Sequence, residues 1–222
     1  MRLNKFIAEN SGVSRREADD LIAASKVAVD GEVAILGQRI TEVSKVIIND
    51  KELKPREDHI TVLLNKPVGY LSSRASQGGD KTVYDLLPTE YKALKTAGRL
   101  DKDSSGLMIL SSDGDLIQQL THPRYEKTKI YEIEIDKPLE PLHQQMICDI
   151  GIQLPDGVSK LGLESLADKK TWRVTMHEGR NRQIRRTFEA LGYTVKKLHR
   201  TNLGIYSLGD LKVGKFREIS KR

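Results

Sequence analysis

The 222-residue chain contains one cysteine, five histidines and few aromatic residues, which make up 5% of the sequence. A single cysteine, Cys148, excludes an intrachain disulfide framework, and scattered histidines without further cysteines supply no metal-binding cluster. No apolar run approaches the roughly 18 residues that a membrane-spanning helix needs. The first residues follow an amphipathic pattern and not that of a signal peptide. We therefore expect a cytoplasmic protein that contains no membrane segment and no metal.

Charge is distributed unevenly along the chain. Charged residues make up 31% and hydrophobic residues 38% of the sequence, a balance typical of a folded globular protein. The formal net charge is +6, yet residues 171–222 alone contain 13 lysines and arginines against four aspartates and glutamates. A basic C-terminal part is expected if that part holds a polyanion near a site. A solvated basic face without a ligand has the same composition.

The first 54 residues have the pattern of two short helices followed by a β-hairpin. Leu3, Phe6 and Ile7 have helical spacing, which predicts a helix over the first ten residues. The segment Ser14–Glu17 has the form of a capping box, which predicts a second helix over residues 15–24. Short alternating segments then flank an Asp-Gly turn at residues 30–31 and predict a hairpin, with a third strand at residues 46–48.

Two arginines, Arg15 and Arg16, fall in the first turn of the second predicted helix. The positive end of the helix dipole disfavours cations at this place. A phosphate backbone docked against the exposed N–H groups would explain them. Alternatively, both arginines face solvent, where salt screens the repulsion at little cost.

The polar, proline-containing segment after residue 54 lacks periodicity and is predicted to be a linker. We therefore expect an N-terminal domain over residues 1–54, a linker over residues 55–60 and a larger domain over residues 61–222.

A loop with four charged residues, bracketed by Gly98 and Gly106, leads into the apolar run 107–110. That run predicts a buried strand. Asp101 and Asp103 would then lie at the edge of a core, where their protonation and pairing can be controlled. The alternative is a tight charged turn between two strands.

The residue order of this loop resembles the signature loop of pseudouridine synthases, and most closely that of the branch that modifies ribosomal RNA and carries an N-terminal S4 domain. The matching residues are Gly98, Arg99, Leu100, Asp101, Asp103, Ser105, Gly106 and Leu107. The resemblance implies an α+β fold, in which a small S4 module precedes a catalytic domain built on a mixed, mainly antiparallel β-sheet with a central cleft. It also implies that Asp101 is the catalytic carboxylate.

The N-terminal module resembles the S4 RNA-binding domain over residues 2–5, 14–18 and 27–31. Up to residue 56 the module holds ten basic and nine acidic residues, so its overall charge does not attract RNA. Any RNA contact must come from local placement of its basic side chains. The candidates are Arg2, Lys5, Arg15, Arg16 and Lys26.

Two further motifs precede and follow the signature loop. Residues 65–69 resemble the opening motif of these synthases, in which Lys66 would support the loop or meet a phosphate. The segment 127–135 alternates as a strand does, with Tyr131 on its apolar face. Lys-x-Tyr here resembles the active-site tyrosine motif of the family, whose ring stacks on the target base and whose hydroxyl has been proposed as a base. The alternative is an ordinary half-buried tyrosine.

The arginine-rich segment 178–186 resembles the third motif of the family. The resemblance implies that Arg185 pairs with the catalytic aspartate. The spacing of Ile184, Phe188 and Leu191 predicts a helix that begins after Gly179 and holds four arginines in its first two turns. A plain basic helix face is the alternative. Further candidates for substrate or RNA contacts are Arg99, Arg180, Arg182, Arg186, Leu198 and Arg200.

Two elements are predicted on pattern alone. Leu142, Met146 and Ile150 recur at four-residue steps and predict a helix over residues 139–150. Residues 152–154 and 161–163 are predicted to form a hairpin around the turn at 155–157.

The leading hypothesis is a monomeric, cytoplasmic pseudouridine synthase that acts on ribosomal RNA or a pre-ribosomal particle and needs no metal or cofactor. Of the two ribosomal subunits, the large one is the expected target. An ionised Asp101 would attack C1′ or stabilise positive charge there, an arginine partner would lower its pKa, and Tyr131 would take the C2′ proton in a glycal route. Acylal, Michael and glycal routes stay open. The alternatives are a small-subunit enzyme, an inactive ribosome-assembly factor, and a hydrolase that uses Asp101 and Asp103 as an acid–base pair.

Overall fold

The structure is a computed structural model that describes residues 1–55, 58–76 and 78–219. The chain divides into two compact units, one comprising Met1–His59 with Ser112–Gly114 and the other Ile60–Ser111 with Asp115–Arg222. The predicted linker, residues 55–60, includes two residues that lie outside the described ranges. Across those ranges, none of the helices combines the length and the apolar character needed to span a bilayer.

The first unit contains two helices and a four-stranded sheet of order β2-β1-β3-β4. The elements are α1 (Leu3–Asn10), α2 (Arg15–Ala23), β1 (Val27–Val29), β2 (Glu32–Val33), β3 (Val46–Ile48) and β4 (Lys51–Glu52). The predicted capping box is confirmed, because the Ser14 hydroxyl accepts from the Glu17 amide at 3.1 Å and the Glu17 carboxylate accepts from the Ser14 amide at 2.6 Å. Asp30 and Gly31 both have positive φ, as a two-residue hairpin turn requires.

The rest of the chain forms the larger part of the molecule, around a nine-stranded sheet. The strands of that sheet are β5 (Thr61–Lys66), β6 (Lys95–Thr96), β7 (Ser105–Ser111), β8 (Lys129–Ile135), β11 (Gly162–Ser165), β12 (Thr171–Met176), β13 (Val195–Leu203), β14 (Tyr206–Ser207) and β15 (Phe216–Ile219). Strands β9 (Ile152–Leu154) and β10 (Gly157–Ser159) form a separate two-stranded sheet. The α-helices of this part of the chain are α3 (Gly114–Thr121), α4 (Pro141–Gln145) and α5 (Gln183–Glu189). Single 3-10 turns span Val83–Leu86, Thr89–Tyr91 and Pro123–Tyr125.

The main sheet has the order β11-β12-β8-β13-β7-β5-β15, with β14 added on β13 and β6 on β7. Every pairing is antiparallel except that of β13 with β7. The predicted α+β architecture with a mixed, mainly antiparallel sheet is therefore confirmed. Strand β7 is buried on both faces, because Met108 and Leu110 pack in one core while Leu107 and Ile109 pack in the other. This double burial explains its unbroken apolar run.

The predicted helix over residues 139–150 is observed over residues 141–150, but its regularly spaced apolar residues do not form a packed stripe. The segment is helical, but α4 passes into a π-helical turn over Met146–Ile150, closed by the Gly151 amide on the Met146 carbonyl. The wider turn changes which residues face the sheet. Leu142 and Ile150 are 63% and 73% exposed, and Ile147 is the residue that is fully buried.

The predicted hairpin of residues 152–154 with 161–163 is also wrong. Strand β9 pairs with β10, with Leu154 opposite Gly157, and β11 pairs with β12 instead. The chain can reverse this tightly because Gly157 adopts a φ of +117°, which residues with a Cβ rarely adopt.

Candidate active site

A cleft of about 930 Å³ opens on the larger unit. Its walls come from the Asp101 loop, from strands β8, β12 and β13, and from the segment that precedes α5. Among the candidates from the sequence, the residues that line it are Arg99, Asp101, Tyr131, Arg180, Arg182, Leu198 and Arg200.

Strand register places Tyr131 in this wall. In the antiparallel pair β8–β13, Tyr131 lies opposite Arg200 and Ile133 lies opposite Leu198. Directly opposed residues share a face of the sheet, so Tyr131, Leu198 and Arg200 all point to the cleft side. The Tyr131 side chain is 8% exposed and packs in the main core, which leaves its ring at the cleft surface.

The parallel pairing of β13 with β7 brings the Asp101 loop to the same place. Gly106, five residues after Asp101, lies opposite Arg200. A Cβ on Gly106 would lie 2.2 Å from the Arg200 carbonyl oxygen, and the residue has a φ of +108°. Only glycine allows the two strands to approach this closely.

Lys66 supports the loop from inside the protein. Its side chain is fully buried, and Nζ donates to the carbonyls of Asp101 at 3.0 Å and Ser104 at 2.6 Å, and to that of Pro67 at 3.1 Å. On the other side, the Ser72 hydroxyl donates to the Leu100 carbonyl at 2.6 Å and accepts from its amide at 3.1 Å. Of the two roles predicted for Lys66, the structure favours loop support, since a fully buried ammonium group does not meet a phosphate.

Burial lowers the pKa of Lys66 from 10.5 to about 8, although the nearby charges of Asp103 and Asp101 oppose the shift. The unfolded chain therefore binds more protons than the folded chain between these two values, and Lys66 makes the free energy of unfolding rise with pH across that window. We expect this rise, up to about 3 kcal/mol, to be absent from Lys66→Met. Urea unfolding of both proteins at pH 7.5 and pH 10 measures the difference, and equal pH dependence would contradict it.

The predicted pairing of Arg185 with Asp101 is wrong in its partner. The Arg185 guanidinium donates to the carbonyl of Asp103 at 3.0 Å, lies 3.3 Å from its carboxylate, and reaches the Val195 carbonyl at 2.6 Å. The arginine that reaches the Asp101 carboxylate is Arg182, at 3.4 Å. Arg182 also binds both carboxylate oxygens of Asp103, each at 3.2 Å. Asp103 thus joins two arginines, while Asp101 is held by one.

The reason for this arrangement is that α5 begins at Gln183 and not directly after Gly179. Arg180 and Arg182 therefore precede the helix, and Arg182 adopts the left-handed conformation with a φ of 47°. This backbone turn sets the direction of the Arg182 side chain, and sequence spacing alone does not reveal it. Arg185 lies on the first turn of the helix, from where it reaches Asp103.

The pKa of Asp103 is lowered. Partial burial alone would raise it, but hydrogen bonds from Arg182 and the charges of Arg185 and Arg182 together outweigh burial. A general acid needs a raised pKa. The shift therefore argues against Asp103 as the general acid of the hydrolase alternative.

Two of the arginines predicted to contact RNA have internal partners. Arg180 donates to the carbonyls of Asp156, Gly157 and Val158 and pairs with the Asp156 carboxylate at 3.1 Å. Arg186 binds both oxygens of the same carboxylate, at 2.9 and 2.7 Å. Both side chains hold the β9–β10 hairpin against the start of α5. Arg99 is exposed at the cleft.

The basic residues predicted to bind RNA in the first unit lie at or near its surface. Lys5 is partly buried beside Glu9, at 3.7 Å, and Arg15 donates to the Asn4 amide oxygen at 3.2 Å. The other candidates are exposed, namely Arg2, Arg16 and Lys26.

Sequence reasoning did not single out Lys129 as a site residue, although it lines the cleft. The signal was available in the Lys-x-Tyr spacing, because residues two apart on a strand share a face. Lys129 must therefore point to the same side as Tyr131.

Comparison with known proteins agrees with this geometry. The family model described as RNA pseudouridylate synthase matches residues 60–190, and the S4 domain model matches residues 1–47. The chain is 38% identical to "Ribosomal large subunit pseudouridine synthase B" of Bacillus subtilis (strain 168), in a match that covers 99% of this chain and 92% of that protein. It is 35% identical to "Dual-specificity RNA pseudouridine synthase RluF" of Escherichia coli (strain K12), over 99% of this chain and 76% of that protein.

A solved structure titled "Crystal structure of pseudouridylate synthase" matches with a TM-score of 0.70 and 30% identity, and the match covers 99% of this chain and 96% of that chain. The signature loop at Asp101, the cleft that contains it and these likenesses agree. The chain belongs to the RNA pseudouridylate synthase family and carries an S4 domain at its N-terminal end.

Proposed function

We propose that this enzyme converts uridine to pseudouridine at a site in large-subunit ribosomal RNA. The observation that carries the proposal is the placement of Asp101 at the surface of the same cleft as Tyr131, on a loop that Lys66 and Ser72 hold from both sides. A rigidly held carboxylate beside an aromatic ring is what the reaction needs. The printed name of the Bacillus subtilis relative supports the choice of subunit.

Pseudouridine formation breaks the N1–C1′ bond, turns the uracil and rejoins it through C5. The target nucleotide must leave its stack to enter the cleft. In our proposal the flipped base stacks on Tyr131, and Asp101 attacks C1′ or stabilises positive charge there. Arg182, which is hydrogen-bonded to the Asp101 carboxylate, directs that group. Arg185 acts indirectly, because it orders the loop through Asp103.

The charge of the cleft supports a polyanionic substrate. Seven lysines and arginines line it, against three acidic side chains. Arg99 at the cleft, together with Arg2, Lys5, Arg15, Arg16 and Lys26 on the first unit, would contact the RNA backbone. We propose that residues 1–54 act as an RNA-binding module, joined by residues 55–60 to a catalytic domain over residues 61–222, and that the enzyme acts as a cytoplasmic monomer.

Deletion of the gene tests the proposal. Carbodiimide treatment followed by primer extension maps pseudouridines in both ribosomal RNAs. We expect the deletion strain to lose at least one pseudouridine from the large-subunit RNA, and a plasmid copy to restore it. A loss confined to small-subunit RNA would contradict the choice of subunit. Altered ribosome assembly with every pseudouridine retained would instead support the assembly-factor alternative.

A further inference from the structure

Two basic side chains flank Tyr131 on the wall of the cleft. Lys129 precedes Tyr131 by two positions on β8 and shares its face, and Arg200 lies opposite Tyr131 on β13. Lys129, Tyr131 and Arg200 all line the cleft. A base stacked on the Tyr131 ring would therefore have a cation on either side of it.

Arg200 is almost completely buried, with 3% of its surface exposed. Its Nε donates to the Leu107 carbonyl at 2.8 Å, but its buried Nη2 has no hydrogen-bond partner. Among the described residues, no carboxylate forms an ion pair with this guanidinium. Buried guanidinium groups normally have partners, because leaving an N–H group unpaired away from water is costly. An unpaired buried donor in a cleft wall indicates that a ligand supplies the acceptor.

Lys129, which is half-buried, also lacks an ion pair within the part of the chain that the structure describes. Its Nζ donates to the carbonyls of Lys127 and His177, each at 3.2 Å, and no carboxylate of the described chain lies within ion-pair distance. Burial lowers the pKa of Lys129, the charge of Arg200 lowers it further, and Glu178 opposes both. The Glu178 carboxylate, however, is bound by Arg180 at 3.0 Å and by Gln183. The half-buried Lys129 and the buried Arg200 thus have no carboxylate ion-pair partner among the described residues.

We propose that Lys129 and Arg200 are catalytic residues that stabilise negative charge on the uracil ring while it is detached from the ribose. The inference rests on the proposed function. When the C1′–N1 bond breaks, its electron pair stays on N1, and the resulting uracil monoanion spreads its charge onto O2 and O4. The Asp101 carboxylate holds C1′ in the acylal route; C5 then displaces it, and the proton on C5 leaves. Cations fixed beforehand beside the ring lower the barrier to the first of these steps.

A backbone phosphate is the other anion that such a pair could bind. The position of Lys129 and Arg200 favours the uracil base as the ligand. Arg200 lies directly opposite Tyr131, on whose ring the base would stack, and Arg200 is shielded from solvent. The exposed basic residues at the cleft, such as Arg99 and Lys160, are better placed for phosphates. The two ligands also differ in their consequence: binding a phosphate contributes to affinity, whereas stabilising the detached base contributes to rate.

Lys129→Gln tests the inference, since glutamine keeps a donor for the two carbonyls but removes the charge. With the full-length protein and transcribed large-subunit ribosomal RNA, we expect the single-turnover rate to fall roughly 10- to 100-fold, with the RNA dissociation constant changed by less than about twofold. Lys129→Arg, which keeps the charge, should recover much of the rate. Lys197→Gln, which removes an exposed lysine paired with Glu134 outside the cleft, should react at the wild-type rate.

A transcript that contains 5-fluorouridine provides a second measurement. Fluorine stabilises the detached uracil anion, so the enzyme should depend less on Lys129, and the deficit of Lys129→Gln should shrink severalfold. Consumption of the fluorinated nucleoside is read by nuclease digestion and mass spectrometry. Equal rates for wild type and Lys129→Gln would overturn the inference, as would a loss of affinity at an unchanged rate, which marks a phosphate contact. Absence of pseudouridine from the wild-type reaction would instead refute the proposed function.

Discussion

Asp101→Asn should abolish pseudouridine formation and leave RNA binding intact. Asparagine has nearly the same size as aspartate and can still accept a hydrogen bond from Arg182, but it neither attacks C1′ nor carries the negative charge that stabilises a cation there. We expect activity to fall by at least about 10³-fold. Tritium release from ribosomal RNA transcripts labelled at C5 of uridine measures the activity, and filter binding measures the affinity.

Asp103→Asn is the matched control, because it removes the second carboxylate of the same loop. Asp103 orders Arg182 and Arg185 but has no direct part in the proposed chemistry. We expect a slower enzyme with measurable turnover. If Asp101→Asn kept substantial activity, or if only the Asp103 variant were inactive, the assignment of the catalytic carboxylate would be wrong.

The largest effect on stability is expected from Gly106→Ala. The added Cβ would lie 2.2 Å from the Arg200 carbonyl oxygen and 2.5 Å from its amide nitrogen, both of which are backbone atoms held in the sheet. The β7–β13 junction would have to separate, at a cost of more than about 4 kcal/mol in the free energy of unfolding. Chemical denaturation followed by circular dichroism measures this loss, and recovery in the insoluble fraction on expression would be its extreme form.

Gly214→Ala separates the two contributions to that loss, which are the steric clash of the added Cβ and the backbone strain of a positive φ. Gly214 also has a positive φ, +76°, but no atom lies within 4 Å of the position that its Cβ would take. Only the backbone strain remains, and we expect a loss of about 1 kcal/mol. Similar losses for the two variants would show that the close approach of β7 and β13 contributes little to stability.

The elements that local pattern determines could be predicted from the sequence. The alternation over residues 127–135 placed Tyr131 on the buried face, and the capping box located the start of α2. The apolar run after the Asp101 loop is a strand buried on both faces. In each case the residues of one short segment contain the whole signal, whether as alternation, as a continuous apolar run or as a pair of capping side chains.

Features of the site and the fold that depend on one backbone angle, or on contacts between residues far apart in the chain, could not be predicted from local sequence pattern. Arg182 and Arg185 are three residues apart, and the left-handed conformation of Arg182 decides which of them reaches Asp101. The π-helical turn after α4 moved Leu142 and Ile150 to the surface, although their spacing is typical of a packed stripe. The burial of Lys66 depends on the loop that folds over it, 35 residues further along the chain.

The pairing of β7 with β13 determines when, during translation, the cleft can fold. Residues 105 and 106 are synthesised early, but their partners on β13, residues 199 and 200, are translated more than ninety residues later. Strand β5 likewise pairs on one side with β15, the edge strand, which is translated much later. A nascent chain that ends before residue 195 therefore lacks a wall of its active site, and such long-range pairing slows folding. The growing polypeptide cannot complete this wall of the cleft until β13 has left the ribosome.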